Sequence, residues 1–438
     1  MKYGRCNVDP FREQPKRTSD TPPDDENYGH VVEDDVRQIV AQLGTEDFVY
    51  TVPVVSRGAG TREVGDALLI SSDMGAILQV KSRHPGARTE DGSAWVARRG
   101  MRAYRQGLGT RRTIARLQAS GETTRAYPVR AVAWSNVDRG SASLEISMDV
   151  SDWPVIIILD HPSIDGVDSP NLDGFWITVT DWLELNRALR SVTALLIYVR
   201  RVLEAGSAAA EPLGSEAERF QRMVEADSHY AGVGGPWSQP WLSAANLEDP
   251  LGADLYRELL TRLWPLDAER PHVPITDLRR VLEFLDAVPP AGQASVGRWI
   301  LKKRNELRTN DWASDAFMWS GDRLLFFACA RSDLYDDIEG FDAQLASIAC
   351  VRAREVAEQG GHITAVLAVG HLVGSELTDD RYIYMEPVLE APDELKRSVL
   401  HLYGRFDLAT GRVIEVTAER NDPCPCGSGR KFKHCERF

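Results

Sequence analysis

Apolar positions recur at helical spacing over residues 30–43, where Val32, Val36, Ile39, Val40 and Leu43 share one stripe and Gly44 supplies a stop. Residues 48–55 read as a strand. Residues 67–70 and 76–78 read as two buried strands joined by a polar turn at 71–75. A helix with outward basic residues is expected over 93–119, with a break near Gly107 and Gly109. Short apolar strands follow at 129–134, 155–159 and 175–179, then a long helix at 182–203 that Thr180 and Asp181 are placed to cap. This order predicts one α/β domain over 28–205. Residues 205–214 are linker-like, and 216–304 read as mainly helical around a Gly/Pro/Trp-rich loop at 232–241. A hairpin (316–319 and 323–330), a helix (341–359), strands at 363–372 and 382–388, and a helix at 393–402 predict a second, α+β domain over 305–420. Its helix–hairpin–helix–strand order echoes the first domain without a matching set of polar residues.

The first hairpin breaks its own pattern. Asp66, Gln79 and Lys81 sit within or beside core-forming runs, where a polar or charged side chain is costly unless paired or bound. Gln79 and Lys81 are two apart on a strand and share a face, and Asp66 falls beside them across the pair. A carboxylate, an amide oxygen and an ammonium around one point suit a hard divalent cation. Asp66, Gln79 and the Val80 carbonyl offer oxygen ligands for Mg²⁺ or Mn²⁺. Lys81 is placed to orient or deprotonate an attacking water and to offset charge on a phosphate.

Charge adds to this picture. The 438-residue chain is 43% hydrophobic and 26% charged, with a formal net charge of −14, which argues against nucleic-acid binding over the whole surface. Between Lys81 and Arg130, however, twelve basic residues stand against three acidic ones, a local balance of +9. Arg83, Arg98, Arg102, Arg105 and Arg112 belong to that segment and are the candidate phosphate contacts. Residues 1–27 are charged and proline-bearing, lack the apolar stretch of a signal peptide and read as a flexible tail. No apolar run has the length of a membrane span, so a cytoplasmic protein is expected. Cys329 and Cys350 lie in apolar stretches and read as inert core residues.

Glu33 in the first helix, Gly65-Asp66, and Gln79-Val80-Lys81 together resemble the PD-(D/E)XK nuclease superfamily, most closely its Mrr-like restriction endonucleases. The resemblance covers residues 28–205. It implies a restriction-endonuclease-like mixed sheet flanked by helices and Mg²⁺-dependent phosphodiester hydrolysis, with DNA ahead of RNA as substrate. It implies Asp66 as metal ligand, Lys81 as catalytic lysine and Glu33 as a helper that holds metal or its waters. Gln79 stands where glutamate is commoner, and a neutral ligand removes one negative charge from the site.

Residues 421–438 read N-D-P-C-P-C-G-S-G-R-K-F-K-H-C-E-R-F and have almost no apolar content. Cys424, Cys426 and Cys435 supply three thiolates, and Gly427 and Gly429 allow the tight backbone that gathers them. Three thiolates and one further ligand suit tetrahedral Zn²⁺, whose binding energy would supply the fold. The segment is similar to the SEC-C motif first seen at the end of the SecA translocase motor. That pattern places a His or Cys after the last cysteine. Here Glu436 occupies the position, so His434 is the first candidate for fourth ligand and Glu436 the alternative. The resemblance implies a docking element for a protein partner or the ribosome.

Three expectations follow: a metal-dependent nuclease, a nucleic-acid-binding protein that keeps the nuclease fold without its chemistry, or an adaptor that acts through its zinc tail.

Overall fold

A mixed seven-stranded sheet with helices on both faces organises the first half of the chain, and a four-stranded mixed sheet the second. The computed structural model describes residues 28–51, 54–57, 60–63, 65–86, 91–129, 144–164, 166–168, 174–231, 241–269, 275–307, 311–319, 322–335, 337–374, 378–386, 405–407, 412–414 and 431. The tail at 1–27, residues 232–240 of the expected loop, the helix expected at 393–402 and the five candidate zinc ligands lie outside the described residues.

In chain order the first half holds α1 (Tyr28–Leu43), β1 (Val49–Thr51), β2 (Val54–Arg57), β3 (Gly60–Glu63), β4 (Ala67–Ser71), β5 (Met74–Ser82), α2 (Gly92–Trp95), α3 (Met101–Ala119), β6 (Arg125–Pro128) and β7 (Leu144–Glu145). β8 (Val155–Asp160), β9 (Gly174–Thr178), α4 (Val179–Leu189) and α5 (Val192–Ala205) complete it. The sheet runs β7-β6-β1-β4-β5-β8-β9. β1, β4 and β5 are antiparallel neighbours, whereas β8 and β9 run parallel to β5. β2 and β3 form a separate ribbon.

The apolar stripe of α1 is buried as its spacing requires. β4 is buried along its whole length, and the chain reverses through Ser72, whose φ of 52° lies in the left-handed region that tight two-residue hairpins use. Leu78 and Val80 of β5 face the core shared with α1 and α5, while Ile77 packs on the opposite face with Ile114 of α3.

Several elements depart from the pattern-based expectation. The strand expected at 48–55 is split: Phe48 closes a 3₁₀ turn, β1 ends at Thr51 and Val54 begins the separate ribbon. β6 ends at Pro128, and residues 130–134 of the strand expected at 129–134 lie outside the described residues. α3 runs unbroken through Gly107 and Gly109. Gly107 serves close packing instead, because a Cβ there would lie 2.3 Å from Val155 Cγ1. The irregularity falls earlier, in a π turn at Val96–Gly100 between α2 and α3.

The long helix expected at 182–203 is two helices, and its cap is Thr178 rather than Thr180 or Asp181. Arg190 ends α4 in the left-handed region, with φ 53°. Ser191 then caps α5 by accepting from the Ala194 N–H at 2.8 Å. The buried carboxylate of Asp286, remote in sequence, accepts from the N–H groups of Val192 (3.2 Å) and Thr193 (2.7 Å) and from the Thr45 hydroxyl (2.5 Å). Helix amino termini leave such donors unpaired, and here a distant acidic side chain satisfies them.

The linker-like run is also anchored: Leu213 is buried and bridges to Val167. Beyond it come α6 (Glu216–Ala231), α7 (Ala245–Glu248), α8 (Pro250–Glu269), α9 (Ile275–Asp286), α10 (Pro290–Glu306), β10 (Trp312–Trp319), β11 (Arg323–Arg331), α11 (Ile338–Glu358), β12 (Ala365–Val373) and β13 (Thr378–Met385), with the short pair β14 (Arg405–Asp407) and β15 (Arg412–Ile414). β10 and β11 form a hairpin, α11 crosses, and β12 returns parallel to β11. The hairpin β4–β5, α3 and β8 follow the same order. One apolar cluster joins residues of α1, β5 and α5 to residues of α8, α10, β11 and β12. Cys329 and Cys350 are both buried in this half, and burial pushes the Cys329 thiol up to about 12.

Candidate functional site

The β4–β5 register places Ala67 opposite Leu78, so Asp66 and Gln79 are the next residues along the pair. Asp66 Oδ2 accepts the Val80 N–H at 2.6 Å, and its backbone carbonyl accepts from Arg37 of α1 at 3.1 Å. The Lys81 ammonium lies 3.9 Å from the same Asp66 oxygen and donates to the Val80 carbonyl at 2.8 Å. Lys81 and Asp66 are about one-fifth exposed, so the pair is reachable yet only partly screened by water.

Glu33 approaches from α1. Its carboxyl is held above the usual glutamate range, first by burial and next by the negative charge of Asp66, while His30, Lys81 and Arg37 act in the opposite direction. His30 Nδ1 stands 3.5 Å from Glu33 Oε2. Three elements therefore converge two carboxylates and an ammonium. A divalent cation fits this arrangement chemically, because it would relieve the mutual repulsion of Glu33 and Asp66. Among the described residues no group of three or more His, Cys, Asp or Glu is placed to share a metal ion, so the acidic set here is a pair.

Gln79 takes a different position from Lys81. It is 2% exposed, and its amide donates to the Leu78 carbonyl at 3.0 Å. A Cβ on Gly65 would lie 3.0 Å from Gln79 Nε2 and 3.2 Å from Thr110 Oγ1 of α3, so the amide is packed between the Gly65 backbone and α3. The Val80 carbonyl is engaged by Lys81. The structure thus brings Glu33, Asp66 and Lys81 together and sets Gln79 and the Val80 carbonyl in hydrogen bonds of their own.

Two neighbours escaped the sequence reading. Asp160 ends β8 beside Ser82 of β5, and its Oδ2 accepts from the Tyr28 hydroxyl at 2.6 Å. Tyr28 stacks edge-on against His84, with ring centroids 5.1 Å apart. The signal was an aspartate closing a wholly apolar strand, the same kind of break that marked Asp66.

Arg83 is half-buried at the end of β5. Arg98 is exposed in the π turn, and Arg102, Arg105 and Arg112 are exposed on α3. On a 3.6-residue period those three, with Arg116, fall on one face. Arg111 turns inward and donates to the Trp153 carbonyl at 3.2 Å.

At the carboxyl end the donor set is three cysteines with His434 and Glu436 beside the last of them. Residues 420–435 match the SEC-C motif. The motif is generally zinc-binding, which agrees with the thiolate count. The chain is 43% identical over 56 residues to the protein translocase subunit SecA of Azoarcus sp. (strain BH72), covering 10% of this chain and 6% of that protein. It is 73% identical over 22 residues to the SecA of Chloroherpeton thalassium, 5% of this chain and 2% of the relative. With the SecA of Stutzerimonas stutzeri the match is 29% over 104 residues, 24% of this chain and 10% of the relative. The chain thus spans a tenth or less of the length of these curated relatives. No solved structure matches it. Among the described residues no helix is long and apolar enough to cross a membrane.

Proposed function

We propose that the chain is a metal-dependent nuclease of the restriction-endonuclease-like, Mrr-like kind, acting on DNA ahead of RNA. The observation that carries this reading is the convergence of Glu33, Asp66 and Lys81 from three elements at one partly exposed point. A mixed sheet flanked by helices, with the carboxylate just before one central strand and the lysine on its neighbour, is the setting the reading expects. Asp66 and Glu33 would hold Mg²⁺ or Mn²⁺, which supplies neutralisation of the charge that builds on a phosphoryl group. Lys81 contributes a second positive charge at the same place and a proton donor for the departing oxygen. The arginine face of α3 positions the phosphate backbone without reading sequence. Incubation of the full chain with DNA and with RNA, each with and without Mg²⁺ or Mn²⁺, tests the reading. Metal-dependent cleavage lost in Asp66→Ala supports it, and cleavage unaffected by that change sinks it.

The buried position of Gln79 favours a second reading, in which the fold binds nucleic acid without cutting it. Metal-independent DNA binding that survives Asp66→Ala, with no cleavage of any substrate, would establish that alternative. The SEC-C match supports a further role for residues 421–438 as a zinc-held docking element for a protein or ribosomal partner. A pull-down with and without those residues tests it.

A further inference from the structure

The β2–β3 ribbon belongs to neither large sheet. It is spliced between β1 and β4, which are antiparallel neighbours with Tyr50 opposite Leu68. The end of β1 and the start of β4 therefore share one end of the sheet. At that end Asp66 precedes β4 and Lys81 stands near the close of β5. The ribbon thus grows from the rim of the candidate centre. β3 ends at Glu63, just before Gly65, whose backbone is packed against Gln79 and Thr110.

The core does not account for this excursion. Among the described elements, β2 and β3 pair with each other and each packs extensively only on the other. A lone two-stranded hairpin is at best marginally stable in water, so the ribbon adds little to the fold. Its register sorts its positions. Val55 pairs with Arg62 and Arg57 with Gly60, so these four positions share one face, and Val54, Ser56, Thr61 and Glu63 take the other. Arg57 and Arg62 are diagonal neighbours on one face, and Glu63 is on the opposite one. Charges that only block strand pairing would serve on either face. Two arginines gathered on one face, away from the acid, form a recognition surface.

Dimensions select the partner. Four residues per strand at strand rise give about 13 Å of reach, against a major-groove depth of about 8.5 Å. Two strands about 4.8 Å apart fit a groove about 12 Å wide. The deep, narrow major groove of an RNA helix does not admit them.

We propose that β2–β3 enters the major groove of duplex DNA and that Arg57 and Arg62 recognise guanine there, each donating in parallel to O6 and N7. The proposal rests on the reading of the neighbouring centre as one that acts on DNA, and it adds base selectivity to that reading. The arginines of α3 supply grip on the phosphates, and the ribbon supplies the choice of site.

Selection from a pool of duplex DNA with a randomised central stretch tests it, using the full chain with Ca²⁺ replacing Mg²⁺ to keep the DNA uncut. The enriched duplexes should share guanines at fixed positions and bind at least about twentyfold more tightly than a scrambled duplex of the same composition. Arg57→Ala and Arg62→Ala should each reduce that preference about fivefold or more, with circular dichroism unchanged. The double change to lysine should keep binding to the scrambled duplex and lose the preference, because lysine retains the charge without the paired donors. Replacing the shared guanines by 7-deazaguanine should lower parent binding toward the scrambled level. The proposal is overturned if the parent binds duplex DNA without preference, if the preference survives in the folded double alanine variant, or if the variants lose both duplexes equally. Unselective binding with Mg²⁺-dependent cleavage overturns the proposal alone. Selective binding with no cleavage upholds the ribbon and removes the nuclease chemistry. A parent that binds no duplex overturns both.

Discussion

Lys81 Nζ of β5 and Asp66 Oδ2, just before β4, stand 3.9 Å apart, each anchored by the backbone of Val80, one through its carbonyl and the other through its N–H. Exposed ion pairs of this length contribute little stability. Their fixed placement beside Glu33 is what makes them a candidate reactive centre.

Glu33 makes that placement testable without any substrate. Its folded pKa is raised, so the fold favours the neutral form. The stability this provides is present below the unfolded pKa and is lost as pH rises through the folded pKa. Glu33→Gln should therefore raise the melting temperature relative to the parent near about pH 7.5, with the advantage shrinking near about pH 4. Thermal denaturation at both values checks this. Mn²⁺ should stabilise the parent more than the Gln variant, since the variant lacks one of the two carboxylates.

Gly65 leaves little room for a side chain. A methyl group there meets Gln79 Nε2 at 3.0 Å and Thr110 Oγ1 at 3.2 Å. Gly65→Ala should cost about 1–3 kcal/mol in denaturant titrations, as overpacking does. It should also displace the peptide that carries Asp66 and so lower cleavage by more than the stability loss explains.

Asp286 should prove a structural keystone of α5. Its carboxylate accepts from Thr45, Val192 and Thr193 in a buried position. Asp286→Ala leaves those donors unpaired and should destabilise the fold by about 2–4 kcal/mol in urea unfolding. Asp286→Asn, which retains one acceptor oxygen, should cost less.

That contact also shows where sequence reading stops. The hairpins β4–β5 and β10–β11 were legible because apolar runs are interrupted by short polar turns. The break between α4 and α5 was not, since the carboxylate that satisfies the first N–H groups of α5 lies 93 positions away from Thr193. Gly107 looked like a helix breaker because composition cannot distinguish a flexible glycine from one pressed against Val155. At the candidate site, strand alternation placed Gln79 and Lys81 on one face but carried no information on depth. The packing of α3 over Gly65 buries the first and leaves the second accessible.

The tail should bind zinc independently of the nuclease centre. Elemental analysis of the purified chain should find about one zinc ion, lost in Cys424→Ser or on deletion of 421–438. His434→Ala should weaken zinc retention against a chelator more than Glu436→Ala does. The reverse order would assign Glu436 as the fourth ligand.

The most direct measurement compares parent and Lys81→Ala for both DNA binding and DNA cleavage in Mg²⁺ or Mn²⁺. The account predicts metal-dependent cleavage by the parent and a loss of about 100-fold or more in the variant, with binding retained because the arginine face of α3 is intact. Equal cleavage by the two proteins, or no cleavage by a parent that binds DNA and metal normally, would contradict it.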